Sequence, residues 1–116
     1  MKNKEYITLT KMIEYIDKSL KYTNGYSFEK FSCDDKTIDA TVFSISQIGE
    51  LVKNISKETM KKYPNIEWNM IKGLRNRIVH DYEGISLKSI WYIIQNDILE
   101  LKNSLQNIID NEKGEE

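Results

Sequence analysis

The segment Arg75-Asn-Arg-Ile-Val-His80-Asp-Tyr82 gathers more reactive side-chain chemistry than any other stretch of this chain. An arginine offers a planar fork that fits a phosphate or carboxylate. A histidine moves protons near neutral pH, a phenol offers an acceptor oxygen, and an asparagine can orient either partner. His80 reads as an acid–base group or as a plain surface or cap residue, and Arg75 as a paired or cleft-lining cation. At about 100° per helical residue, Arg75 and Tyr82 fall within about 40° of Ile71, on the same side as Leu74 and Ile78. A guanidinium so placed must be paired, line a cleft, or snorkel outward, because burying it alone is too costly. Asn76 and His80 lie four apart on another line, where the amide can orient the imidazole. His80 also sits in the last helical turn, where the helix dipole favours its protonated form. Arg75 and His80 are nevertheless about 140° apart on an undistorted helix. Either the helix opens around His80, or a second subunit completes the site. Lys72 and Arg77, on neighbouring lines, read equally as solvated charges or as guides for a polyanion.

The elements that must position these groups read as helices. Only one proline and five glycines interrupt 116 residues, too little punctuation for a sheet fold. Leu9, Ile13, Ile16 and Leu20 mark a helix over roughly residues 4 to 22, broken at Asn24-Gly25. Ser27 caps a short turn carrying Phe28 and Phe31. From about residue 36, Ile38, Val42, Ile45, Ile48, Val52 and Ile55 form a second stripe. Gly49 inside it costs about 1 kcal/mol relative to alanine, which suggests close approach of another helix. Glu50 beside it reads as a solvated charge or as a polar group at a site, and its type favours the first. A further turn over residues 58 to 63 ends at Pro64. One helix is expected from 67 to about 82, with Trp68, Ile71, Leu74, Ile78 and Val79 buried and Gly84 as its stop. Ser86 is placed to cap the last helix, where Leu87, Trp91, Ile94, Ile98, Leu101, Leu105 and Ile108 recur at spacings of four and three. Ile90 and Ile93 widen that stripe beyond a single seam. The fold expected is all-α, an antiparallel bundle of four to five helices. Residues 1–110 would form the single domain, and 111–116 a frayed acidic tail.

Composition narrows the function classes. The formal net charge is −1, so no global field attracts nucleic acid, although a local basic patch still could. Cys33 is the lone cysteine, which excludes an intrachain disulfide and a thiolate-based zinc site, and reads as a small half-buried residue. No cofactor or metal is expected. With no apolar run near ~18 residues and no signal-peptide core at the start, a cytoplasmic protein is expected.

The order of these features resembles the HepT-like family of the HEPN superfamily. Its pattern of Arg, four residues, His, one residue, Tyr is filled by Arg75, His80 and Tyr82, with Asn76 giving the Arg-Asn pair. Ile48-Gly49-Glu50 resembles the family's Gly-Glu element, residues 64 to 68 its proline-to-tryptophan approach, and residues 85 to 91 the start of its last helix. The resemblance implies a HEPN-like bundle that homodimerises, with both Arg–His motifs facing a shared cleft. It also implies a metal-independent endoribonuclease, the toxin of a type VII toxin–antitoxin pair, with RNA as substrate. The partner implied is an MntA-like nucleotidyltransferase antitoxin that transfers AMP to Tyr82 and silences the toxin. The alternative within the resemblance is a non-catalytic HEPN subunit that binds nucleotide for a nucleotidyltransferase complex.

Overall fold

Leu9, Met12 and Ile16, each fully buried, hold the first long helix, α1 (Asn3–Thr23), against the rest of the chain. It ends at Asn24, and Gly25 takes a positive φ of 78° that favours glycine. The computed structural model describes residues 1–83 and 86–114, with side chains of 79–83 outside the description. Gly84, expected as a helix stop, therefore lies outside the described residues.

Each short connection is fixed by a polar side chain. Ser27 Oγ accepts from the Lys30 amide at 3.1 Å and starts α2 (Phe28–Ser32). Asp34 accepts from the Thr37 amide at 3.1 Å and starts α3 (Asp35–Leu51), while the Tyr26 hydroxyl donates to Asp34 Oδ2 at 2.7 Å. A 3-10 turn, Val52–Asn54, carries the apolar stripe of α3 onward to Ile55. Ser56 caps α4 (Lys57–Lys62), and the Tyr63 carbonyl accepts from the Trp68 indole at 3.0 Å, pinning the turn at Pro64. These caps supply the amides at helix starts with acceptors they would otherwise lack.

The expected single helix over residues 67 to 82 is two: α5 (Trp68–Lys72) and α6 (Leu74–Glu83), joined at Gly73. The Gly73 N–H donates to the Asn69 carbonyl at 3.0 Å and closes α5 there. The last helix starts at α7 (Leu87–Tyr92), passes through a π turn at Ile93–Asp97, and continues as α8 (Ile98–Gly114). Ser86 stands at its N-cap position but bonds the Ser89 hydroxyl at 2.7 Å instead of a backbone amide. The π turn admits one extra residue per turn and so swings the buried face. Ile90, Ile93, Ile94 and Ile98 recur at i, i+3, i+4 and i+8 and are all buried.

All elements among the described residues are helical, as expected of a HEPN-like bundle. α1 packs on α3 and α8, and α3 packs on α6, so α3 lies between α1 and α6. Phe31 from α2 closes one end of the core with its ring 5.1 Å from that of Trp91. Two expectations fail at the periphery. The segment expected to fray is helical as far as Gly114, and Glu112 within it is 4% exposed. Glu112 accepts from the Tyr63 hydroxyl at 2.6 Å and from Lys62 Nζ at 2.8 Å, so a polar sequence docks through ion pairing instead of apolar burial. Cys33 is exposed, not half-buried.

Candidate active site

Ile45 and Ile48 of α3 meet Ile71, Leu74 and Ile78 of α5 and α6 in the core. Gly49 sets how close these helices come. A Cβ placed on Gly49 would lie 3.0 Å from the Arg75 amide nitrogen, 3.1 Å from the Ile71 carbonyl and 3.5 Å from Arg75 Cβ. The close approach expected at Gly49 is present, and its neighbour is the root of the candidate arginine.

The head of that arginine goes elsewhere. Arg75 Nε lies 3.1 Å from Glu50 Oε1, and the two side chains are 54% and 38% exposed. Arg75 thus starts at the buried seam, as its place on the wheel requires, and carries its charge outward to a partner. Glu50 is not the solvated charge expected. Its other oxygen, Oε2, accepts from Lys53 Nζ at 3.2 Å, so one carboxylate bridges cations on two segments. A half-exposed pair of this kind contributes little to stability, on the order of 1 kcal/mol or less. Its stronger effect is orientational.

Lys72, Asn76 and Arg77 are all exposed. Together with Arg75 they put three cations and an amide within a six-residue stretch around the α5–α6 joint, on a chain of net charge −1. Arg77 does not share the face of Arg75. It lies two residues on, about 200° around the helix, and lines a groove of roughly 310 Å³ between α5–α6 and the π turn with α8. Met70, Leu74, Ile98 and Leu101 supply that groove's apolar wall, and Glu67, Asp97 and Glu100 its acidic rim.

Positions 80 and 82 fall on α6, which continues unbroken to Glu83. The side chains of His80 and Tyr82 lie outside the described residues, so their contacts, including the expected Asn76–His80 hydrogen bond, are not assigned. Because α6 shows no opening around position 80, the backbone keeps residues 75 and 80 about 140° apart. Among the described residues, no group of three or more His, Cys, Asp or Glu side chains could hold a metal ion. No described helix is long and apolar enough to cross a membrane.

Sequence reasoning missed two features. The Arg75–Glu50 pair joins residues 25 apart in sequence, and its only signal was the acid following a helix-seam glycine. The groove beside Arg77 had a fainter signal in the wide apolar face of the last helix.

Known proteins share this sequence across most of its length. A protein of Methanocaldococcus jannaschii provisionally named an RNase is 34% identical over 111 residues, covering 96% of this chain and 88% of its own. A second, from Caldanaerobacter subterraneus subsp. tengcongensis and named in the same way, is 36% identical over 94 residues, covering 81% and 84%. A third, from Thermococcus cleftensis and provisionally named ribonuclease HepT, is 30% identical over 107 residues, covering 91% and 94%. No solved structure matches the chain significantly. The family profile described as ribonuclease HepT-like matches residues 12–108, from the middle of α1 to the second half of α8 and through the whole Arg75 site. An all-helical chain so matched belongs to the ribonuclease HepT-like family.

Proposed function

We propose that this chain is a metal-independent endoribonuclease and the toxin of a type VII toxin–antitoxin pair. The observation that carries the proposal is Arg75 itself. Its root is fixed at a close helix seam, its head is half-exposed and paired at Nε, and Lys72 is exposed nearby. That is a held cation on an open surface, which suits a phosphodiester better than a buried small molecule.

RNA supplies its own nucleophile. The 2′-hydroxyl loses its proton and attacks the adjacent phosphorus, while the bond to the 5′-oxygen breaks and that oxygen takes up a proton. The products are a 2′,3′-cyclic phosphate and a 5′-hydroxyl. His80 serves as base or acid in these transfers, a role typically worth about 10²–10⁴ in rate. Arg75 binds the scissile phosphate and stabilises its transition-state charge. Asn76 positions the imidazole or the phosphate, and Lys72 and Arg77 guide the RNA backbone. The ~140° between Arg75 and His80 is bridged when two copies pair and each supplies one half of a shared site. Regulation acts at Tyr82. Its phenol oxygen attacks the α-phosphorus of ATP on an MntA-like nucleotidyltransferase, pyrophosphate leaves, and the attached AMP adds bulk and negative charge beside Arg75.

End-labelled RNA incubated with the purified protein tests the activity. Cleavage is expected from the wild type, none from His80→Ala, and severely reduced cleavage from Arg75→Lys, which keeps the charge and loses the fork. Equal cleavage by His80→Ala would remove the catalytic assignment. Nucleotide binding with no cleavage by the wild type would favour a non-catalytic subunit instead.

A further inference from the structure

An arginine can grip a phosphate in two ways: side-on through Nε and one terminal nitrogen, or end-on through both terminal nitrogens. In this structure an ion pair lies on the side-on edge. Glu50 Oε1 lies at 3.1 Å from Arg75 Nε, and no other described residue pairs with the guanidinium. Among the described residues the end-on edge has no ion-pair partner. Glu50 is itself held from the other side, because Lys53 Nζ engages Oε2 at 3.2 Å. That second contact also offsets the negative charge that would otherwise repel an incoming phosphate.

We propose that Glu50 is the positioning residue of Arg75: it occupies Nε, fixes the plane of the guanidinium and leaves the end-on edge to receive the phosphate. The proposal rests on the reading of Arg75 as the phosphate-binding group. Gly49 makes it geometrically possible. A side chain there would meet the Arg75 amide nitrogen at 3.0 Å and force the Arg75 backbone back from α3 by a few tenths of an ångström. Glu50 touches no substrate in this scheme and transfers no proton.

The chain has two arginines, Arg75 and Arg77, so its arginine Nε–H region in an ¹H–¹⁵N spectrum holds two signals, and Arg75→Lys assigns them. In the wild type the Arg75 signal is expected to be sharp and slow to exchange. It should broaden or vanish in Glu50→Ala and persist in Glu50→Gln, whose carboxamide oxygen still accepts. An Arg75 signal unchanged in Glu50→Ala would overturn the pairing, whether or not the protein cleaves RNA. In cleavage assays on full-length protein, Glu50→Ala should lower kcat by about 10- to 100-fold, the scale of a misplaced catalytic group. Its KM should stay within about threefold, Glu50→Gln should recover most of the rate, and the pH profile of Glu50→Gln should match the wild type. A Glu50→Ala protein with a wild-type kcat would refute the positioning role, and an altered pH profile in Glu50→Gln would replace it with a proton-transfer role. Failure of the wild type to cleave any RNA would instead count against the nuclease reading, while the Nε–H spectra still decide the pairing.

Discussion

Replacing Gly49 by alanine sets two effects of known size against each other. Alanine in a helix interior is favoured over glycine by about 1 kcal/mol. Against that stands the added methyl, which would meet the Arg75 amide nitrogen at 3.0 Å and the Ile71 carbonyl at 3.1 Å. Both are backbone atoms of packed helices, so neither can rotate aside, and the α5–α6 joint must back away by a few tenths of an ångström. Overpacking of this kind costs about 1–3 kcal/mol. The net expectation is a loss of about 1 kcal/mol, or a fall in Tm of roughly 3–8 °C for a domain of this size. Gly73→Ala is the matched control. Gly73 has φ −79° and ψ −7°, open to any residue, and its added methyl would find the nearest atom at 3.4 Å, ordinary contact. That variant should be neutral or gain about 0.4–1 kcal/mol through its less flexible unfolded chain. Thermal unfolding followed by circular dichroism measures both. Gly49→Ala as stable as Gly73→Ala would show that the seam yields freely, and the account of how Arg75 is fixed would fall with it.

Three further outcomes follow from the polar anchors. Lys62 and Tyr63 hold the Glu112 carboxyl down to about 2 against the opposing effect of burial. A depressed carboxylate stabilises the fold fully above its unfolded value near 4.5 and loses that contribution as pH falls toward 2. Urea midpoints should therefore drop between pH 5 and pH 2.5 more steeply in the wild type than in Glu112→Gln, and parallel curves would contradict the assignment. Glu5, 5% exposed, accepts from the Ser56 amide at 2.7 Å and the Thr59 hydroxyl at 3.0 Å. Glu5→Ala strands a donor at the start of α4, so urea denaturation should show a loss of about 1–3 kcal/mol, and a loss below about 0.5 kcal/mol would mean that water replaces the carboxylate. The shared site proposed above needs a dimer: sedimentation at micromolar concentration should give twice the chain mass, and a stable monomer would exclude a site shared across two copies.

Some of this architecture was written in the sequence and some was not. The stripes of α1 and α3 were legible because a period of three and four over five turns has no other low-energy solution. Gly49 was legible for a related reason: a costly residue inside a strong pattern implies compensation nearby. Gly73 has the same identity and different work, and its neighbours at 71, 74 and 78 keep a helical period across it, so the break was hidden. The π turn was hidden in the same manner, because an isoleucine-rich stretch satisfies more than one register. Glu112 reads as solvent-facing by type, and its burial is offset by partners distant in sequence, Lys62, Tyr63 and the ammonium at Met1. Glu50 and Arg75 belong to helices separated by α4 and the Pro64 turn, and nothing local to either predicts the other.

The pairing of Glu50 with Arg75 also bears on why a weak surface ion pair lies beside a helix seam built of isoleucine and glycine. A long, half-exposed arginine on a mobile base would sample many directions, and a contact worth about 1 kcal/mol or less would not hold it to one. Here the base is not mobile. Ile45, Ile48, Ile71, Leu74 and Ile78 fix α6 on α3 through burial, and Gly49 lets the Arg75 backbone come close to α3. With the root of the arginine fixed by the core, the carboxylate has only the last torsions left to restrain. A weak contact suffices for that. The core supplies position, and in the proposed scheme the ion pair supplies direction to an arginine side chain that is 54% exposed.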